Sequence, residues 1–379
     1  MKFRSFVIFF LLLGVSSDVY LLLVSAAAMP LWVKAAICLP SLVTLICLPF
    51  IGLGVHYTAA VRIFSWVTFL LELPKFISAL FSALFRFGVG MVPLTADLWA
   101  AGLGGAVSLS FIFLIFYFSR HLIVNNIQLT FPDLPDGLKG LRICQLADLH
   151  VGSFGKALRY IRRIVDSTLA QNPDLILFTG DLVNFSTAEV TPFREELARL
   201  KARLGVFSVR GNHDYLLHGH HSEAERQKDV DDLLAFEESL GWTVLKNQNV
   251  LLRHSDAALA VAGVENISAN PFFKDTGGDL SRAVEGIPEG VFTILISHDP
   301  SHWRMEVLPH FSVPLTLSGH THGLHFKFAG FHPSSWRLRE SGGIYQEDSR
   351  FLHVSKGLGS AFAFRLGSFP RIDMIILNK

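Results

Sequence analysis

Cysteine is scarce, with three residues in 379: Cys38, Cys47 and Cys144. Only Cys144 follows residue 119, so the carboxyl-terminal region can form no internal disulfide and offers no thiolate cluster to a metal. An excess of basic charge is also missing. Thirty-three Lys and Arg stand against 32 Asp and Glu, a formal net charge of +1, which argues against a nucleic-acid-binding surface. Charge of either sign is nearly absent from residues 1–119, where Lys2, Arg4, Asp18, Lys34, Arg62, Glu72, Lys75, Arg86 and Asp97 are the whole set. Internal repeats and low-complexity segments are lacking too.

Apolar runs fill that region, at residues 5–28, 35–56, 63–85 and 98–119. Each is close to the ~20 residues a helix needs to cross a ~30 Å hydrocarbon core, so about four transmembrane helices are expected over a region 1–119. The third run contains Glu72, Pro74 and Lys75, which a membrane tolerates when they face other helices or water. Lys2, Arg4, Arg62 and Arg120 flank one side of four spans, against Lys34 and Arg86 on the other. That bias places both termini, and the domain after Arg120, in the cytoplasm at an inner or cell membrane. The competing reading is a signal peptide over the first run, with Lys2 and Arg4 as its charged start and Ala26 to Ala28 as its cleavage site; Asp18 and the length of the run argue against it.

After Arg120 the chain changes character, and residues 120–379 suffice for one large globular domain. LIVNNIQLT reads as a short strand followed by turns in FPDLPDGLKG. LRICQLADLH is a strand ending at Asp148 and His150, and residues 156–170 place Leu158, Ile161, Ile164, Val165 and Leu169 at helical spacing. DLILFTGD is a strand ending at Asp181, REELARLKARLG an amphipathic helix closed by Gly205, and VFSVRGNHD a strand ending at Asn212, His213 and Asp214. This βαβαβ order predicts a parallel, layered sheet covered by helices. VFTILISHD then ends at His298, and VPLTLSGHTH at His320 and His322.

In open α/β sheets, ligand sites lie beyond the carboxyl ends of strands. Singly, each block has a blander reading: Asp-x-His or Gly-Asp as a turn, Asn-His-Asp as a cap, His298 as a hydrogen-bonded core histidine. Five strands in succession delivering carboxylate, amide and imidazole to one rim is a different matter. Such a set of borderline-hard ligands suits Mn, Fe or Zn, and Cys144, inside its strand, reads as core.

Asp148-x-His150, Gly180-Asp181, Gly211-Asn212-His213-Asp214, His298 and Gly319-His320-Thr321-His322 together resemble the five-block signature of the calcineurin-like metallophosphoesterases, over roughly residues 140–325. LPDGLKGLRICQLADLHVGSFG is similar to the membrane-anchored YkuE/YaeI-like branch. The resemblance implies a four-layer αββα sandwich with two divalent metal ions, Mn foremost. It implies Asp148, His150, Asp181 and His322 around one, Asp181, Asn212, His298 and His320 around the other, and Asp181 bridging. It further implies hydrolysis of a phosphoester or pyrophosphate bond by a hydroxide that the metals share. His213 would stabilise the transition state or protonate the leaving oxygen, with Asp214 as its orienting partner.

The anchor points to a lipid-linked substrate, such as a UDP-2,3-diacylglucosamine-type pyrophosphate or a phospholipid. The alternatives are a soluble nucleotide or phosphodiester substrate, a catalytically silent membrane receptor or scaffold, and a transporter, for which paired broken helices are lacking. His218, His220 and His221 read as a solvated loop and His325 as an ordinary polar residue. Phe326, Phe328, Phe331 and Trp336, with Lys327 and Arg337 among them, read as candidates for a membrane-surface contact or for core.

Overall fold

The computed structural model describes residues 3–26, 29–53, 57–154, 157–215, 222–270, 276–322, 339–360, 365 and 367–379. His218, His220, His221, His325, Phe326, Lys327, Phe328, Phe331, Trp336 and Arg337 lie outside them. The chain divides into two compact units, Met1–Tyr117 and Phe118–Lys379.

The first unit is helical. Among the described residues, four stretches are long and apolar enough to cross a membrane: Ile8–Ser25, Leu31–Ile51, Arg62–Gly88 and Pro93–Arg120. Their surfaces are inverted relative to a water-soluble bundle, with Leu31 82% and Phe87 75% exposed while Asp18 and Glu72 are buried. The helices are α1 (Phe3–Tyr20), α2 (Leu31–Leu53), α3 (Tyr57–Val67), α4 (Leu73–Ala83) and α5 (Pro93–Arg120). Segments of π-helix, Leu21–Ser25, Thr68–Glu72 and Leu84–Gly88, continue α1, α3 and α4.

In the second unit the described residues form two six-stranded sheets. Five strands of one come first in the chain: β1 (Ile123–Thr130), β2 (Arg142–Leu146), β3 (Leu175–Phe178), β4 (Val206–Ser208) and β5 (Thr243–Val244). The other sheet follows as β6 (Gln248–His254), β7 (Ala257–Gly263), β8 (Phe292–Ile296), β9 (Leu315–Ser318), β10 (Gly343–Glu347) and β11 (Arg350–Val354); β12 (Arg371–Asn378) then returns to the first. The orders are β1-β12-β2-β3-β4-β5 and β10-β11-β9-β8-β7-β6.

Both sheets are parallel through the strands that carry the motifs. They turn antiparallel at β12 against β2, β6 against β7 and β10 against β11, so each sheet is mixed, with the expected parallel pairing at β2, β3 and β4.

Strand side chains alternate between faces, and the alternation here produces three apolar interlayers. Ile143, Leu175 and Leu177 meet Val261, Ile294 and Leu317 between the sheets. Cys144, Leu146 and Phe178, on the opposite face, pack against Ile161, Ile164 and Val165 of a helix α6 (Leu158–Leu169). Leu295, Leu352 and Val354 cover the outer face of the second sheet together with Trp303 and Leu280. Helices, sheet, sheet and helices make the expected four layers. Cys144 is fully buried in the first of these interfaces, as its place in a strand implied.

The expected helix over REELARLKARLG is shorter in the structure, covering Arg194–Leu197. Leu204 N–H donates to Asp174 O at 2.8 Å and Arg203 pairs with Asp174 at 3.0 Å, so the chain is drawn to the start of β3 before another turn can form. Gly205 closes the segment at φ +108, a backbone region that glycine enters without strain.

Candidate metal centre

Every motif residue follows the carboxyl end of its strand, and the structure brings them together. Asp148, His150, Asp181 and His322 offer ligand atoms within 4.8 Å of one another, and so do Asp181, His298 and His320. Asp181 Oδ2 lies 3.5 Å from His150 Nε2 and 3.2 Å from His298 Nε2, so one carboxylate reaches both groups. His150 Nε2 and His322 Nε2 are 3.1 Å apart, and His320 Nδ1 is 3.3 Å from His298 Nε2. Asn212 is fully buried on the turn after β4.

The backbone gives way to these positions. Asp148, His150, Asp181, His320 and His322 all have positive φ, from 44 to 68, where a side chain other than Gly or Asn is strained. Close packing holds them there. His320 N–H donates to Asp148 Oδ1 at 2.9 Å, His150 N–H to Asp181 O at 3.1 Å, and Gly359 N–H to Asp148 O at 2.7 Å. A Cβ on Gly319 would come 2.7 Å from Asp148 Oδ2, so the glycine of Gly-His-Thr-His keeps room for that carboxylate.

Hydrogen bonds set the tautomers. His150 Nδ1 faces Val183 O at 3.2 Å and His298 Nδ1 faces Thr179 O at 2.7 Å. A carbonyl can only accept, so both rings carry a proton on Nδ1 and turn Nε2 to the cluster, the arrangement of a metal-ligating histidine once that nitrogen is free of its proton. His320 is turned the other way: its Nε2 lies 3.5 Å from Asp299 Oδ2, leaving Nδ1 on the cluster side. Asp299 is itself held by Ser268 Oγ at 2.5 Å and Ser301 N–H at 2.8 Å.

The electrostatics favour a cation. Burial pushes Asp148 up to about 7, and its Oδ2 has no hydrogen-bond donor among the described residues. Burial also pulls His150 down to about 3, which keeps its imidazole neutral, the form that could ligate a metal. At His298 burial acts downward, but the Asp181 carboxylate outweighs it and the imidazole is pushed up to about 10. The negative field that protonates His298 would equally hold a metal ion. The donor set of carboxylate and imidazole fits Mn, Fe or Zn.

Residues 141–324 match the family model described as calcineurin-like phosphoesterase. This segment is a calcineurin-like metallophosphoesterase domain. Over 268 residues the chain is 29% identical to a transmembrane protein with metallophosphoesterase domain from Bos taurus, covering 67% of this chain and 57% of that one. It is 29% identical over 257 residues to the uncharacterized metallophosphoesterase YkuE of Bacillus subtilis, covering 65% of this chain and 82% of YkuE. An uncharacterized metallophosphoesterase of Helicobacter pylori is 34% identical over 184 residues, 48% of this chain and 45% of that one. The chain thus spans little more than half the length of the transmembrane relative.

Two residues of the metallophosphoesterase domain are placed differently from the sequence expectation. His213, half-buried, has its Nδ1 2.9 Å from Asn184 O, so the orienting partner is a backbone carbonyl and not Asp214. Asp214 points into the protein and accepts from four backbone N–H groups: Asp181 at 2.7 Å, Leu182 at 2.8 Å, Val183 at 3.2 Å and Gly211 at 2.8 Å. It clamps the turn of Asp181 to the turn of Asn212.

Gln145 is a residue that sequence reasoning missed. It is fully buried on β2 and donates through Nε2 to Ser318 O at 2.8 Å on β9, while its Oε1 accepts from His353 Nδ1 at 2.6 Å. The bond joins the strand delivering Asp148 and His150 to the strand delivering His320 and His322, across two sheets. A glutamine inside an otherwise apolar strand was the available signal.

Glu237, on the helix Glu223–Ser239, is buried near Asp214 and accepts from Ser208 Oγ at 2.6 Å. Burial and then the nearby Asp214 push its carboxyl up from the ordinary 4.5 to about 8. The unfolded chain gives up this proton near pH 4.5 while the folded chain keeps it to about pH 8. The folded state then binds more protons, and this group's stabilisation falls as pH rises through that window. Glu237→Gln is expected to flatten the slope by up to about 1.4 kcal/mol per pH unit. Thermal unfolding of both proteins from pH 5 to 8 measures it, and parallel curves would refute the buried acid.

Proposed function

We propose that the chain is a membrane-anchored, metal-dependent phosphoesterase that hydrolyses a lipid-linked phosphoester or pyrophosphate. The observation that carries this reading is the reach of Asp181 Oδ2 to both His150 and His298, at the meeting point of two ligand groups. Asp148, His150, Asp181 and His322 would hold one divalent ion, and Asp181, Asn212, His298 and His320 a second, with Mn first in preference. Two such ions supply Lewis-acid activation of the phosphoryl group and of the attacking water.

Other groups of this chain do the rest. Val183 O and Thr179 O fix the ligand tautomers, Asp214 holds the two central turns in register, and His213 stands ready to move a proton at the leaving oxygen.

Four apolar helices support the choice of a lipid-linked substrate, since such substrates concentrate at a bilayer. The reading includes a multi-pass anchor with both termini and the metallophosphoesterase domain in the cytoplasm, on the bias of flanking cations. The test is turnover by the purified full-length protein in bilayers with Mn, comparing a UDP-diacylglucosamine-type pyrophosphate and a phospholipid with a soluble nucleotide diester and an aryl phosphodiester. Chelator-sensitive turnover with the largest kcat/KM on a lipid substrate is expected. Preference for the soluble nucleotide would sink the lipid assignment, and failure on all four would favour a silent receptor. Reporters fused at each end test the topology, and an external carboxyl terminus would overturn it.

A further inference from the structure

The helical unit buries more negative than positive charge at one level. Asp18 on α1, Ser41 on α2, and Glu72 and Lys75 around the start of α4 meet near the middle of the stretches Ile8–Ser25, Leu31–Ile51 and Arg62–Gly88. Lys75 Nζ donates to Asp18 Oδ1 at 2.6 Å, to Ser41 Oγ at 2.9 Å and to Ile37 O at 3.3 Å. An ammonium has three protons, and these acceptors use all of them.

Glu72 is the second anion of this set. Its Oε1 accepts from Ser41 Oγ at 2.9 Å. Its Oε2 pairs with Lys75 Nζ at 2.9 Å but accepts no hydrogen bond among the described residues. Glu72 is 1% exposed. Lys75 is shared between two carboxylates, Asp18 and Glu72, so the set keeps a net charge of −1 where a membrane-embedded protein can least tolerate one.

Arg86 is committed to Asp97, together with Ser82 and Ser25, about two turns further along the bundle. The hydroxyls of Thr68 and Thr44, one turn from Glu72 and Ser41 in their helices, are buried with no hydrogen-bond partner among the described residues. Glu72 also closes the π-helical segment Thr68–Glu72, a kind of distortion frequent at functional sites. Gly14 leaves the space beside it, since a Cβ there would stand 2.5 Å from Glu72 Oε2 and 2.9 Å from Ser41 Oγ.

We propose that the helical unit seats one monovalent cation at Glu72 Oε2, as a proton taken from water or as an alkali-metal ion. A single positive charge neutralises the Asp18, Glu72 and Lys75 set, whereas a divalent ion would reverse the imbalance. The seat is distinct from the metallophosphoesterase centre, and it rests on the reading that these helices span a membrane.

The test uses full-length protein in phosphatidylcholine–phosphatidylglycerol nanodiscs, comparing wild type with Glu72→Gln. Infrared difference spectra read the carbonyl stretch of a protonated carboxylic acid, and equilibrium binding of radioactive sodium reads an alkali ion. Loss of one protonated carboxyl, or of one equivalent of sodium, in Glu72→Gln is expected, and which signal disappears identifies the cation. Gly14→Ala, which crowds Oε2 while leaving the carboxylate in place, is expected to weaken the same signal and serves if Glu72→Gln does not fold. If the variants match wild type in both measurements, the seat does not exist. Alkaline carbonate extraction of membranes separates the two readings: retained protein with matching signals refutes the seat alone, and released protein overturns the spanning helices and the seat together.

Discussion

Asp181→Asn should leave the protein with less than two equivalents of metal and lower its turnover by more than about 100-fold, beyond what loss of a residue behind the ligands usually costs. The reason is geometric. Among the described residues, Asp181 Oδ2 is the carboxylate oxygen within 3.5 Å of imidazoles from both ligand groups, so the substitution weakens two coordination shells at once. Asparagine is the right replacement because it tolerates the positive φ of 60 at this position better than other residues, and the turn should survive. Metal analysis of full-length protein purified with Mn, together with turnover of an aryl phosphodiester, gives both readouts. Two full equivalents with normal turnover would show that the bridging role lies elsewhere. Asp148→Asn is the companion measurement: its carboxylate belongs to one group only, so one equivalent should remain.

The strands that deliver the site were legible because each ends abruptly, an apolar run giving way to Asp, Asn or His. LTLS before Gly319 and LILF before Thr179 are buried at every position, and sequence reading places both strand ends within a few residues. Sheet membership was not legible in the same way. β12 comes last in the chain yet lies between β1 and β2, a pairing across more than two hundred residues for which no local pattern selects.

The site shows the same division. The seven ligand candidates could be read from residue type and place, but not the positive φ that five of them adopt, since none is a glycine or asparagine that would announce it. Hydrogen-bond partners were the least legible feature. Asp214 next to His213 suggests a pair, yet successive residues on a tight turn point different ways, and four backbone N–H groups claim the carboxylate. Asn184, which does hold His213, lies 29 residues away and acts through its main chain, so its side-chain identity carried no signal.

His213→Ala should therefore part company with every ligand substitution. Its Nδ1 proton is committed to Asn184 O, and its ring stands edge-on to His150 with centroids 4.8 Å apart, beside the ligand groups but in neither of them. Removing it should leave the metal content at two equivalents. Turnover should fall by about 10²- to 10⁴-fold, the usual worth of a positioned acid or base. The size of the loss should depend on the leaving group. An alkyl phosphoester, whose departing oxygen needs a proton, should suffer most, whereas a nitrophenyl ester, which leaves as a stable anion, should be partly spared. Equal losses on both substrates would reassign His213 to stabilising charge on the phosphoryl oxygens, and loss of metal would make it a ligand. Asp214→Asn offers the contrast that separates a proton carrier from a structural clamp: it should lower thermal stability, because an amide oxygen replaces a carboxylate under four N–H donors, and it should affect the two esters alike.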